Sequence, residues 1–340
     1  MKKTAVVILN WNGKTFLEKF LPSIVEYSIN DAEVIVADNA STDDSVAFLK
    51  ENYPQVRIIQ NDDNYLFAKG YNVALSQVDA DYFVLLNSDI EVTPNWIPPV
   101  IELMEKDDSI AICQPKLLSY YEKDSFEYAG AAGGFIDNLG YPFCRGRLFN
   151  SIEKDNGQYS DEVELFWATG AALFVKSSVY KELGGLDDDF LAHMEEIDFC
   201  WRAKNAGYKI KYCPNAEVYH IGGGTLSKQS PKKTYLNFRN NLILLYKNLP
   251  KNRLFIVFFM RFFLDIVAGF KFLCGGSMKE ALAVTKAYID FLKTFKSTRR
   301  KRKSLQQKHL PEIYKKSIVF HHYILGKKLF SELNKEDFSS

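Results

Sequence analysis

Short apolar runs alternate with segments of helical periodicity through the first part of the chain. Each run has three to five apolar positions and is followed by polar residues, and together the runs predict strands over 4–9, 33–37, 56–60 and 82–86. Between them, apolar residues recur every three or four positions, which predicts helices over 15–27, 45–52 and 67–77. Strands that alternate with helices indicate a doubly wound α/β fold, with a mainly parallel sheet flanked by helices.

The pattern becomes less regular after the fourth predicted strand. Further strand-like runs occur at 110–115, 166–175, 208–212 and 217–220, and helical patterns at 177–183 and 195–206. The segment 119–165 is rich in Gly, Tyr and Asp, and we expect loops with short strands there.

The last third of the chain has a different character. Residues 254–274 are strongly apolar but contain Arg261, Asp265 and Lys271. A spanning helix needs about 20 apolar residues with few charges, so an amphipathic helix in the membrane interface is the better interpretation. Six of the eight residues 296–303 are basic, which favours contact with anionic lipid. The alternative is a helix packed on the rest of the protein, followed by a solvated charged loop.

The charge distribution supports a division at about residue 225. The 340 residues carry a net charge of +1, but residues 1–225 have 19 Lys and Arg against 35 Asp and Glu, whereas residues 226–340 have 24 against 7. We therefore expect a catalytic domain over 1–225 and a basic, apolar, helical region over 226–340 that associates with membranes. Nucleic acid is not an expected partner, because the basic run lacks interleaved aromatics. Five cysteines without metal spacing fit a reducing, cytoplasmic compartment.

Polar residues that can carry chemistry follow the predicted strands. Asn87 and Asp89 come directly after the fourth strand, and Asp38 ends the second. Open α/β sheets bind ligands at the carboxyl ends of their strands, where an aspartate can hold a divalent cation against nucleotide phosphates. The alternative for each residue is an ordinary turn or helix cap.

A second group of acids lies at the start of the helix predicted over 195–206. Glu195, Glu196 and Asp198 are three carboxylates within four residues, and crowded like charges raise one another's pKa, which suits a general base. Acids at a helix N-terminus are also common for purely structural reasons. Arg202 follows Asp198 by four residues, so an ion pair within the helix is expected.

Four segments together resemble the family 2 glycosyltransferases, which have the GT-A fold. They are VVILNWNG at 6–13, ADNASTDDS at 37–45, NSD at 87–89, and the long segment 184–208. Asn64, Ala68, Gly70 and Asn72 add an element typical of the rhamnosyltransferase-like branch. The resemblance covers about residues 4–225 and implies a GT-A domain, here with a C-terminal helical extension.

The resemblance implies roles for individual residues. It assigns Asp38 to the nucleoside and Trp11 to the base, although Trp11 could also be an ordinary core aromatic, and it leaves Asn10, Asn64 and Asn87 as further substrate-binding candidates. Lys69 is a candidate contact for the diphosphate, or else an exposed lysine. Gly170 would let a sugar approach the backbone, or else it serves close strand packing. Asp89 matches the metal-binding carboxylate of the family's DxD motif, whose first position is Asn87 here, and His220 matches a second ligand. A divalent cation, Mn²⁺ or Mg²⁺, is therefore implied. Glu196 stands where the family's base is usually Asp, which leaves Asp198 as the alternative base.

The implied reaction is an inverting glycosyl transfer. The donor would be a UDP- or dTDP-linked sugar, with dTDP-rhamnose among the candidates, and the acceptor a hydroxyl of a glycan or lipid-linked molecule in surface polysaccharide assembly. We expect such an enzyme to be cytoplasmic and peripheral at the inner face of an anionic cell membrane. Two alternatives are a nucleotidyltransferase and an inactive GT-A scaffold docked on the membrane.

Overall fold

A computed structural model describes residues 3–222 and 230–338. The strands are β1 Thr4–Asn10, β2 Glu33–Asp38, β3 Arg57–Gln60, β4 Tyr82–Asn87, β5 Ile90–Val92, β6 Ile110–Ser119, β7 Gly134–Asp137, β8 Pro142–Cys144, β9 Arg147–Leu148, β10 Ser151–Ile152, β11 Ala172–Lys176, β12 Lys209–His220 and β13 Ile313–Tyr314. The helices are α1 Lys14–Ser28, α2 Ser45–Asn52, α3 Leu66–Leu75, α4 Pro98–Glu105, α5 Ser177–Glu182, α6 Glu195–Ala206, α7 Pro231–Asn248, α8 Lys251–Cys274, α9 Met278–Ser304 and α10 Ile318–Tyr323. The domain boundary predicted near residue 225 lies outside the described residues.

The larger sheet has the order β3-β2-β1-β4-β11-β6-β12-β5. Strands β3, β2, β1 and β4 are parallel, and β12 is parallel to β6. Only β11 and β5 run against their neighbours. The predicted α/β class with a mainly parallel sheet is therefore confirmed.

The sheet is flanked on both faces because its central strands are apolar on both. In β1, Val6 and Ile8 pack in one core with Phe20 of α1, whereas Val7 packs in the other with Tyr71 of α3. A strand buried on both faces reads as a continuous apolar run rather than an alternating one. This explains why β1, β2 and β4 were predictable from the sequence.

One prediction of local structure was wrong, and two predicted strands are parts of a single strand. The run 166–175 was expected to be one strand, but β11 begins only at Ala172. The preceding residues are apolar because they are buried; Trp167, for example, donates its indole N–H to the carbonyl of Phe135 at 2.8 Å. The two runs 208–212 and 217–220 form one strand, β12, whose register shifts between Cys213 and Glu217.

A second, smaller sheet has the order β10-β9-β8-β7-β13 and occupies much of the segment expected to be loops with short strands. Its edge strand β13 comes from the C-terminal region and pairs in parallel with β7. The C-terminal region is thus hydrogen-bonded into a sheet that begins more than 170 residues earlier.

Helix α8 is amphipathic, as predicted for 254–274. Arg261 and Asp265 are buried and lie 3.3 Å apart as an ion pair, with the hydroxyl of Tyr288 donating to Asp265 at 2.8 Å. The opposite side of α8 and the neighbouring side of α9 form an exposed apolar face, which consists of Phe255, Phe259, Phe263, Val267, Phe270, Leu282, Ile289 and Leu292. No helix among residues 3–222 and 230–338 is sufficiently long and apolar to cross a membrane.

Candidate active site

The carboxyl ends of three adjacent strands bring the first group of predicted residues to one edge of the larger sheet. Asn10 of β1 lies beside Asp38 of β2 in register, and on the other side Leu9 is in register with Asn87 of β4. Parallel strands end at the same edge, so residues that are far apart in the sequence meet there.

Asp38 is buried and held in place by the first loop. Asn10 donates its side-chain amide to Oδ1 of Asp38 at 3.0 Å, and the backbone N–H of Ser41 donates to Oδ2 at 2.9 Å. The second contact is the turn-type hydrogen bond that was the alternative explanation for this residue. Trp11 is 52% exposed, so it is not a core aromatic.

Asn64 and Lys69 lie on the segment that follows β3. Oδ1 of Asn64 accepts from the backbone N–H of Leu66 at 3.0 Å, and the exposed ammonium of Lys69 lies 3.9 Å from the ring centroid of Tyr65. No hydrogen bond or ion pair within the described residues joins either side chain to Asp89.

Asp89 and His220 meet at the rim although 130 residues separate them. Antiparallel pairing of β5 with β12 brings them together, and Nε2 of His220 lies 3.1 Å from Oδ1 of Asp89 and 3.5 Å from Nδ2 of Asn87. The other ring nitrogen, Nδ1, lies 3.3 Å from Oε1 of Glu127, which is buried. Burial by itself lowers the pKa of His220, but Glu127 and Asp89 together raise it to about 10.

This arrangement fits a divalent cation. A histidine that binds a metal through one ring nitrogen usually has a carboxylate beside the other ring nitrogen. In His220, Asp89 lies beside Nε2 and Glu127 lies beside Nδ1, so Glu127 occupies that second position. No group of three or more His, Cys, Asp or Glu able to hold a metal exists in the described parts of the chain. Asp89 and His220 could therefore supply at most two ligands, and oxygen atoms of a diphosphate or of water would have to complete the shell.

The acids at the start of α6 lie in a low-polarity environment. Burial raises the pKa of Glu196 to about 7, and its Oε2 has no hydrogen-bond partner among the described residues. Burial and the charge of Glu196 also raise the pKa of Glu195. Gly170 adjoins this helix, since a Cβ there would lie 3.7 Å from Cβ of Glu196. Two predicted site residues from distant segments are thus neighbours.

Asp198 has a different environment from Glu196. It is fully buried and accepts hydrogen bonds from Arg202 at 2.8 Å, from Lys247 at 2.9 Å and from Asn248 at 2.9 Å. The predicted ion pair with Arg202 is confirmed. Lys247 and Arg202 hold the pKa of Asp198 below its usual range despite burial.

Sequence analysis missed Glu127 and Asn240. Glu127 lies in a segment with no readable periodicity, and only the sheet pairing brings it to His220. Asn240, on α7, donates its amide to backbone carbonyls just before α6, including that of His193 at 2.8 Å. An Asn inside a helix that is otherwise apolar on this side was the available signal, because a buried amide needs partners.

Two solved structures share the fold of this chain. S. aureus TarS 1-349 in complex with UDP-GlcNAc aligns with a TM-score of 0.57 at 15% identity, covering 88% of this chain and 83% of that one. The mannosyltransferase PcManGT from Pyrobaculum calidifontis, in complex with GDP-Man and Mn²⁺, aligns with a TM-score of 0.51 at 13% identity, covering 89% and 84%. The fold is that of the GT-A glycosyltransferases.

The family follows from the sequence. The model of glycosyl transferase family 2 matches residues 5–179, so the chain belongs to this family and is a glycosyltransferase of the rhamnosyltransferase-like type. A curated relative, the N-acetylglucosaminyl-diphospho-decaprenol L-rhamnosyltransferase of Mycobacterium tuberculosis, is 25% identical over 233 residues, which are 63% of this chain and 75% of the relative.

Proposed function

We propose that the protein is an inverting glycosyltransferase that moves a sugar from a UDP- or dTDP-linked donor, such as dTDP-rhamnose, to a hydroxyl of a glycan or lipid-linked acceptor in surface polysaccharide assembly. The observation that carries the proposal is the Asp89–His220 pair at the carboxyl edge of the sheet, beside a helix that presents a carboxylate with a raised pKa. The M. tuberculosis relative, whose name describes transfer of L-rhamnose to a lipid diphosphate acceptor, supports the acceptor class.

The donor would bind along the edge formed by β1, β2 and β4. Asp38 would accept a hydrogen bond from N3–H of uracil or thymine, and the exposed ring of Trp11 would stack on the base. Asn87 would donate to ribose hydroxyls. Asp89 and His220 would hold Mn²⁺ or Mg²⁺; when bound, the ion neutralises the charge that grows on the departing diphosphate.

Glu196 is the proposed base. It would take the proton from the acceptor hydroxyl as the oxygen attacks the anomeric carbon from the side opposite the leaving diphosphate, so the configuration inverts in one displacement. A pKa of about 7 matches proton abstraction near neutral pH. Asp198 cannot take this role without losing its ion pairs with Arg202 and Lys247, so we assign it to holding α6 in place.

The exposed apolar face of α8 and α9 supports peripheral binding to a membrane. Helix α8 contributes five residues to this face, four of them phenylalanines, while its charged pair Arg261–Asp265 is buried on the opposite side. Exposed lysines, including Lys271, Lys279, Lys286 and Lys293, border the face and suit anionic headgroups. The five unpaired cysteines fit the cytoplasmic side.

Fewer of the basic side chains at 296–303 are available to this surface than the composition of the run indicates. It is the last part of α9 rather than a solvated loop, and Lys301 lies 2.7 Å from Asp189 and also pairs with Asp187. Arg302 donates to the carbonyl of Tyr246 at 2.5 Å. Part of the run therefore binds the catalytic domain.

Donor hydrolysis by the purified full chain tests the proposed function. UDP-GlcNAc, dTDP-rhamnose and GDP-mannose would each be incubated with the protein, with Mn²⁺ and with EDTA. Slow release of one nucleoside diphosphate that requires Mn²⁺ supports the proposal and identifies the donor. If no donor binds by calorimetry and none is hydrolysed, the protein is an inactive scaffold instead.

A further inference from the structure

Arg147, on β9 of the smaller sheet, is a buried cation without a carboxylate partner. It is 8% exposed, and no carboxylate of the described residues lies within ion-pair distance of it. Its guanidinium donates to the carbonyl of Phe149 at 3.1 Å and to Sγ of Cys144 at 3.4 Å, while Nε is buried without an acceptor. A guanidinium has five N–H donors, so most of its hydrogen-bonding capacity is unused.

A buried charge of this kind is costly unless something neutralises it. Arg145, two residues earlier and equally buried, has its counterion in Asp161 at 2.5 Å. The same hairpin therefore carries one arginine with a counterion and one without. No described carboxylate lies within ion-pair distance of the Arg147 guanidinium, so its unused N–H donors suit an anionic ligand.

Arg147 lies between the candidate active site and the C-terminal helices. Its guanidinium stacks 4.4 Å from the ring centroid of Tyr128, the residue that follows Glu127. Oε1 of Glu127 in turn lies 3.3 Å from Nδ1 of His220. Arg147 is thus joined through Tyr128 and Glu127 to the end of the site that holds His220.

The other side of Arg147 leads to the exposed apolar surface. Phe149, whose carbonyl holds the guanidinium, packs against His322 and Tyr323 of α10, with ring centroids 4.8 Å and 5.1 Å away. Tyr323 in turn lies beneath the ammonium of Lys271, at the end of α8. An apolar chain attached to a phosphate group at Arg147 could therefore run along Phe149 and α10.

We propose that Arg147 binds the phosphate or diphosphate group of the acceptor, and that this group belongs to a polyprenyl-type lipid. The inference rests on the proposed function, because it takes Glu196 as the base that faces the acceptor. Asp89 and His220 are assigned to the donor diphosphate, and Arg147 is assigned to this second anionic group. Guanidinium groups suit this task because their paired N–H donors match phosphate oxygens.

Calorimetry on the full chain in EDTA tests the site without turnover, with farnesyl diphosphate as the probe. Removal of metal weakens the donor site but should leave Arg147 unaffected. We expect wild-type protein and Arg145→Gln to bind the probe, and Arg147→Gln to bind it about tenfold more weakly or worse. Arg147→Lys keeps the charge and should recover part of the affinity. That recovery would show that the loss of affinity in Arg147→Gln does not come from misfolding.

Two further probes separate the sources of the anion. Inorganic pyrophosphate should bind more weakly than farnesyl diphosphate if the acceptor is lipid-linked; equal affinities would support the phosphate site but overturn the lipid. Farnesol, which has the chain but no charge, should bind all variants alike. Equal binding of farnesyl diphosphate to wild-type protein and Arg147→Gln overturns the inference, and this result is independent of whether any nucleotide sugar is hydrolysed.

Discussion

The side-chain amide of Asn240 donates to the carbonyl oxygen of His193 at 2.8 Å, two residues before Glu195 begins the catalytic helix. The same amide also reaches the carbonyls of Phe190 and Ala192, at 2.8 and 2.9 Å. Arg239 fixes the amide's orientation by donating to its oxygen at 2.8 Å. Helix α7 thus holds the backbone from which α6 starts.

That backbone is strained. Leu191, His193 and Met194 have φ angles of 64°, 67° and 74°, which are left-handed values that cost residues other than glycine about 1–3 kcal/mol each. Such a conformation persists only when its surroundings hold it. We expect Asn240 to provide part of this restraint and so to fix the position of Glu196.

Asn240→Ala should therefore lower kcat by about 10²-fold, the effect of a displacement near 1 Å at a catalytic group, while donor affinity stays unchanged. The matched control is Asn241→Ala, because Asn241 is equally buried on α7 but bonds Gly140 and Arg261 instead. Steady-state kinetics, donor calorimetry and hydrogen exchange over 189–198 would measure the effect. Equal kcat in both variants would refute this role.

The pH dependence of turnover should report Glu196. A base must be ionised to act, and the pKa of this carboxyl is raised to about 7, so kcat should be low in acid and rise as the pH passes through 7. Glu196→Gln should reduce kcat by about 10²–10⁴-fold and abolish that rise. A pH–rate profile measures both. An unchanged acid limb in the Gln variant would assign the ionisation to another group.

The free energy of unfolding should distinguish the structural role of Asp198 from the role of Glu196. Asp198→Ala leaves Arg202 and Lys247 buried without this carboxylate, and the loss of one partner of a buried ion pair costs about 3–5 kcal/mol. Glu196→Gln removes no ion pair in the described residues, and the uncharged amide avoids the cost of burying a carboxylate. Urea unfolding of both variants measures the difference. A Glu196→Gln protein that is as unstable as Asp198→Ala would contradict the assignment.

The metal site predicts a graded response to substitution. Asp89→Ala should abolish Mn²⁺-dependent donor hydrolysis, because it removes a ligand. Glu127→Gln should weaken Mn²⁺ binding by about 10–100-fold, as is usual for the residue that orients a ligating histidine. Glu122→Gln, an exposed neighbour, is the control. Titration of Mn²⁺ into the protein with donor present measures all three, and wild-type Mn²⁺ affinity in Asp89→Ala would exclude this site.

Membrane binding should depend on the apolar face. Replacement of Phe255, Phe259 and Phe263 by Ser should abolish cosedimentation with vesicles that contain anionic lipid, whereas Tyr121→Ser, which alters an exposed aromatic elsewhere, should not. High salt should weaken wild-type binding without eliminating it, since salt screens lysines but not apolar contacts. Binding that survives the triple substitution but not salt would assign attachment to the basic residues alone. Point substitutions are preferable to deletion of 251–340, which would also remove β13 and Lys301.

The elements that the sequence predicted best are those whose pattern comes from local periodicity. The bounds of α2 and α6 agree with the predicted 45–52 and 195–206, and β1, β2 and β4 are buried as continuous apolar runs. Residues 166–171 misled the prediction because burial alone makes a segment apolar, whether or not it pairs as a strand. The short strands expected within 119–165 could not be located individually, because each has only two to four residues.

The sequence alone determined the family and the residue types of the site, because Asp38, Asp89 and Glu196 lie in local motifs at strand ends and a helix start. The tertiary structure decided which of these groups share an environment. It paired His220 with Asp89 and Glu127, added Lys247 to the Asp198–Arg202 pair that the sequence had predicted, and left Arg147 without a counterion in the described parts of the chain. The pairings of His220 and Lys247 join residues up to 131 positions apart. No local pattern contains them, since the free energy of a buried charge depends on its neighbours in space.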